Sequence, residues 1–110
     1  KVLTMFTCSP GQIMSKVPLK SLKELKGVEI RGTGISGKYL RAAGATPVAM
    51  PMSSVPESLQ KGVVKGLISS IEVMKDFNFA SLCQNVTLMG GPTTSFAVVM
   101  NKKKWGSLPA

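Results

Sequence analysis

The stretch VEIRGTGISGKYLRAAGATPVAM, Val28–Met50, carries the fold. A short apolar strand is expected over residues 28–31 and a glycine-rich turn after it. A helix over 36–43 then stops at Gly44, the residue type that helices favour just past their last turn. A second strand follows over 46–50. A strand, a helix and a strand in so short a span form a crossover unit, and such units build parallel sheets covered by helices. Towards the N-terminus, residues 2–7 are an aliphatic and aromatic run closed by Ser9-Pro10-Gly11, which reads as a buried strand. Residues 12–20 read as loop or edge structure, with Pro18 marking extended backbone. Ser21 caps a short turn through Leu22 and Leu25 that ends at Gly27.

Towards the C-terminus, Ser54 with Pro56 and Glu57 forms a capping box for a helix to about residue 61. A strand over 66–69 and a helix over 70–77 come next. Two β-branched strands, 85–89 and 95–100, flank Gly90-Gly91-Pro92. Asn101 caps a last turn before Trp105. The expected fold class is α/β: an open, largely parallel sheet with helices on its faces, in one domain spanning 1–110.

The 110 residues suit one domain and can bury a core without staples. With 44% hydrophobic and 17% charged residues, disorder and low complexity are excluded. No apolar run approaches the roughly 18–20 residues that cross a bilayer. Fourteen Lys and Arg stand against five Asp and Glu, a net +9, yet only Arg31 and Arg41 are arginines. Nucleic-acid readers rely on arginine forks and aromatic platforms. None of Phe6, Tyr39, Phe77, Phe79, Phe96 and Trp105 interleaves with a basic cluster, so no nucleic-acid partner is expected. Phe96, inside an apolar run, is assigned to the core, and Lys102-Lys103-Lys104 to a solvated face.

There is no histidine, which removes the commonest general base and the commonest metal ligand. Glu24 and Glu29, like Glu72 and Asp76, read as exposed charges and not as catalytic pairs. No enzyme activity, metal or cofactor is expected. Cys8 and Cys83 match no metal or redox spacing; they read as buried free thiols, with a disulfide open to them in an oxidising compartment. The sequence starts at Lys1 with neither an initiator Met nor a signal peptide, and is expected to be a processed product or a piece of something longer.

The loop Gly32-Thr33-Gly34-Ile35-Ser36-Gly37 spells GxGxxG between a strand and a helix, the setting of a dinucleotide fingerprint. No acid closes the next strand to hold a ribose, which argues against that reading. Residues 32–38 also fit GxxxxGK, but Tyr39 stands where Ser or Thr must hold magnesium. What remains is a cationic strand end feeding a glycine loop and a helix start, a setting that favours an anion. Arg31 could grip a carboxylate through two parallel hydrogen bonds, or simply pair with Glu24 or Glu29.

Five blocks follow one another in order: PLKSLKELKGVEIR (Pro18–Arg31), GATP (Gly44–Pro47), MPMS (Met50–Ser53), LQKGVVKG (Leu59–Gly66) and VVMNKKKWGSLP (Val98–Pro109). Together they resemble the solute receptors of TRAP transporters, DctP type, over essentially the whole chain. The resemblance implies a periplasmic protein that captures an organic-acid carboxylate and hands it to membrane permease subunits. It implies one lobe of a type II periplasmic-binding-protein-like fold, with 1–10 and 93–110 as hinge-strand segments leading to a first lobe this chain lacks.

Arg31 falls on the carboxylate-binding arginine of that family. Elsewhere the chain departs from it. Gly11 stands where some members carry a second ligand arginine, and Thr33 replaces a proline. Met52 replaces a cleft aromatic, Pro56 a tyrosine and Lys65 an aspartate. Ile68 stands where an acid is common, and Ser69 falls at an asparagine that contacts ligand. The expected ligand-binding set is therefore Arg31, Gly34, Met52 and Ser69, and the resemblance names no solute. Binding by one lobe is expected to be millimolar at best. The alternative is a basic stand-alone interaction domain with no working cleft. Apolar hinge strands left bare predict a homodimer.

Overall fold

The computed structural model describes residues 1–109. Seven strands and five α-helices follow one another: β1 (Val2–Thr7), β2 (Gln12–Ser15), α1 (Leu22–Leu25), β3 (Glu29–Arg31), α2 (Gly34–Ala42), β4 (Thr46–Val48), α3 (Val55–Gln60), β5 (Gly66–Ser69), α4 (Val73–Asp76), β6 (Asn85–Thr87), β7 (Ser95–Val99) and α5 (Lys102–Gly106). Five strands make one sheet in the order β4-β3-β5-β2-β6. β3 pairs in parallel with β4 and β5, whereas β2 pairs antiparallel with β5 and with β6. Four strands therefore run one way and β2 alone runs against them. The sheet is α/β and largely parallel, as the crossover unit requires.

The helices cover both faces. Neighbouring residues on a strand point to opposite sides, and the two cores divide accordingly. Met14 and Leu67 join Val55, Leu59, Phe79 and Cys83 beneath α3 and α4. Ile13 and Ile68 join Leu19, Leu25, Ile30 and Leu40 beneath α1 and α2.

The loop or edge expected over 12–20 is not what forms at its start. β2 is paired on both sides, and Ile13 and Met14 are fully buried. A four-residue strand buried on both faces carries no polar alternation that would announce it. The capping box at Ser54 also fails to form. A 3₁₀ turn, Met52–Ser54, runs straight into α3, and Ser54 makes no side-chain cap bond; Glu57 pairs with Lys61 instead. The helix expected over 70–77 shortens to α4 and is followed by a 3₁₀ turn at Phe79–Ser81, because Asn78 takes a left-handed φ of 54° that a helix cannot continue through. Two caps are as expected. Ser21 Oγ accepts from the Glu24 N–H at 3.3 Å, and Asn101 Oδ1 from the Lys103 N–H at 2.9 Å.

β1 and β7 form a separate antiparallel ribbon in which Phe6 faces Phe96. Every residue of both strands is exposed, so β1 is not the buried strand its apolar run suggests. Its hydrophobicity has no partner layer among the described residues. The ribbon projects from the helix-covered sheet and gives the molecule extents of 57 × 26 × 20 Å.

Candidate functional site

The site lies where the ribbon enters the sheet. Because β2 runs against its neighbours, its first residue, Gln12, sits beside Ser69 at the end of β5. The chain returns to the ribbon at the same edge. Gln12 Oε1 accepts from the Met89 N–H at 2.7 Å and the Gly90 N–H at 3.2 Å. The two passing segments then touch backbone to backbone: Gly91 N–H donates to the Gly11 carbonyl at 2.8 Å and Gly11 N–H to the Pro92 carbonyl at 3.2 Å. A Cβ on Gly91 would stand 2.8 Å from the Gly11 carbonyl oxygen, so the crossing demands glycine there.

A cavity of about 420 Å³ opens at this edge. Its location follows the rule for open α/β sheets, whose crevices form at the carboxyl ends of the parallel strands. Arg31 closes β3, Ser69 closes β5, and Met52 opens the 3₁₀ turn after β4; all three line the cavity. Gly34, the fourth residue expected here, does not. It begins α2 with a φ of 54° and faces a neighbouring groove of about 240 Å³ beside Lys38 and Arg41. The positive φ turns the loop so that Thr33, Ile35 and Ser36 reach the cavity in its place.

Arg31 is half-buried, and burial pushes its proton affinity down from the ordinary value; a guanidinium nonetheless stays charged at any working pH. Its Nε donates to the Met50 carbonyl at 3.1 Å. Among the described residues neither terminal nitrogen has a protein acceptor, and the one ion pair is Lys61–Glu57. Neither Glu24 nor Glu29 neutralises it. Nor does any buried side-chain nitrogen or oxygen there lack a partner. The terminal nitrogens are therefore open to solvent, held by Nε in the fork geometry that suits a carboxylate. Among the described residues, Arg31 is also the one charged side chain on the cavity wall.

Sequence reasoning missed the ribbon's share of this wall. Cys8, Ser9, Thr94 and Phe96 all contribute to it. Phe96, assigned to the core, is 44% exposed. An apolar strand-like run signals burial only when a second layer covers it, and only the fold shows that none does. Ser9 Oγ donates to the Glu72 carboxylate at 2.9 Å. Hydrogen bonds from the Glu72 backbone, Ser9 and Ser70 hold that carboxyl below its ordinary range. The contact ties the ribbon's exit to the turn before α4.

Both cysteines are free, Cys83 buried in the core and Cys8 only half-buried. Among the described residues no group of three His, Cys, Asp or Glu is placed to hold a metal ion. No helix among them is long and apolar enough to cross a membrane.

The chain is similar to known proteins in both sequence and fold. Residues 1–110 match the family model described as bacterial extracellular solute-binding protein, family 7 (DctP). The C4-dicarboxylate-binding periplasmic protein DctP of Rhodobacter capsulatus is 29% identical over 102 residues, 90% of this chain and 31% of that protein. A TRAP periplasmic solute binding protein from Desulfovibrio salexigens, crystallised open with the C-terminus of a symmetry mate in its ligand site, is 56% identical. It superposes with a TM-score of 0.82 over 99% of this chain and 34% of its own. A marine metagenome TRAP solute binding protein specific for aromatic acid ligands is 38% identical, with a TM-score of 0.90 over 99% of this chain and 36% of its own. The chain thus spans about a third of the length of these relatives.

Proposed function

We infer that this chain, which belongs to the bacterial extracellular solute-binding proteins of family 7, captures a small organic acid through Arg31 as part of a TRAP-type receptor. The receptor works outside the cytoplasm, in the periplasm, and passes its solute to the permease subunits of the transporter. One observation carries the reading. The Arg31 guanidinium is fixed through Nε and has its terminal nitrogens free beside a cavity at the strand ends. Ser69 and Met52 share that wall and contribute a hydroxyl and an apolar contact. Residues 1–10 and 93–110 act as the hinge segments towards a first lobe. In this chain alone a second copy occupies the bare ribbon, giving a homodimer.

One lobe leaves a bound acid open to water on its other side, so affinity stays no tighter than about millimolar. Thermal unfolding with and without a small carboxylate tests the assignment. At about ten times Kd, a ligand adds roughly 1.4 kcal/mol and raises Tm by several degrees. Arg31→Ala is expected to remove that rise while leaving the unliganded Tm within about 2 °C of the parent. Equal rises in parent and variant, or micromolar binding by the monomer, would contradict the assignment. The first result would favour a basic interaction domain without a working cleft.

A further inference from the structure

We propose that Phe96, stacked on Phe6, is a specificity-determining platform that makes this lobe favour a carboxylate with a flat, apolar body over a dicarboxylate. The inference rests on the reading that Arg31 holds an organic acid, and it names the class of that acid. Likeness to relatives does not decide the matter, since one of them binds C4-dicarboxylates and another aromatic acids. The cavity wall does.

Phe96 lies on β7, and its register partner across the ribbon is Phe6. The two rings stack with centroids 5.3 Å apart and planes 19° from parallel. Thr94, just before β7, and Phe96 within it both line the cavity. The Phe96 ring is therefore held by its neighbour and not by burial, and the residue is exposed. Ile35, also on the wall, is 66% exposed, and Met52 is half-buried. Apolar surface held open around a single guanidinium is the chemical complement of a ring or chain that ends in one carboxylate.

Charge accounting points the same way. Among the described residues no lysine and no second arginine lines the cavity, so a second carboxylate would lose water without meeting a cation. The remaining polar wall is largely hydroxyl: Ser9, Thr33, Ser36, Ser69, Ser70 and Thr94. Hydroxyls orient a phenol or an α-hydroxyl group but leave a net charge unbalanced. An apolar body, by contrast, covers Phe96, Ile35 and Met52 together and gains stacking contact besides.

The test is an NMR-monitored titration of the 110-residue chain with acetate, succinate and benzoate. Benzoate is expected to bind at least about tenfold more tightly than either of the others. In Phe96→Ala the benzoate affinity falls to within about twofold of acetate, and the loss for benzoate exceeds any change for acetate at least about fivefold. Phe96→Leu removes the ring but keeps apolar contact in the ribbon, and guards against a folding defect; it too should lose most of the preference. Phe96→Tyr should keep it. Benzoate no tighter than acetate, or a preference that survives both Phe96→Ala and Phe96→Leu in folded protein, overturns the inference. If Arg31→Ala still abolishes acetate binding in that event, the receptor reading stands without it. Acid binding that survives Arg31→Ala, or no binding of any of the three acids, overturns both.

Discussion

Cys8 and Cys83 have the same side chain in opposite surroundings. Cys83 is buried against Met14 and Phe79 in one core, and burial pushes its thiol up, with Lys16 pulling weakly the other way. The folded chain therefore favours the neutral thiol. That contribution to stability is complete below the ordinary thiol range and is lost as pH rises through the raised value. Cys8, half-buried on the cavity wall, is open to reagents. A disulfide-exchange reagent at neutral pH should titrate one fast thiol in the native protein and both after unfolding, and Cys8→Ser should remove the fast phase. Two thiols reacting at equal rates before unfolding would refute this division. At this scale the sequence shows that Arg31 is a cation at a strand end. It does not show that Nε would be occupied by the Met50 carbonyl while the terminal nitrogens stayed free, because that depends on where β4 ends.

Among the elements, the crossover unit β3–α2–β4 is legible because strand and helix differ in period and Gly44 marks the boundary. β2 is not, since Gln-Ile-Met-Ser gives neither alternation nor a β-branched run. Its place between β5 and β6 comes from long-range pairing, which overrides weak local preference. The structure makes the difference measurable. Ile13 is fully buried among Leu19, Ile30 and Leu40, so Ile13→Ala should cost about 2–4 kcal/mol of unfolding free energy in chemical denaturation. A loss below about 1 kcal/mol would return residues 12–15 to the loop or edge their composition suggests.

At the scale of the molecule, the core-forming part is well specified by sequence and the ribbon is misread. Val2–Thr7 and Ser95–Val99 carry no charge in a chain of net +9, yet all their residues face water. Isolated two-stranded ribbons are marginal in water, and the pairing with a second copy proposed above would cover the apolar side chains. Light scattering at high protein concentration should give the mass of two chains, and Val99→Lys should return the mass of one. A parent that stays at one chain's mass throughout would exclude pairing through the ribbon.

The reversed direction of β2 has one more effect. Strand β1 delivers the backbone to the crevice edge and β7 collects it there, side by side, after everything between has closed on itself. Topologically, residues 8–94 are an excursion from a hairpin. They form a cassette with a hydrogen-bonded neck, and grafting it between the arms of another antiparallel pair with that neck intact is expected to preserve its fold.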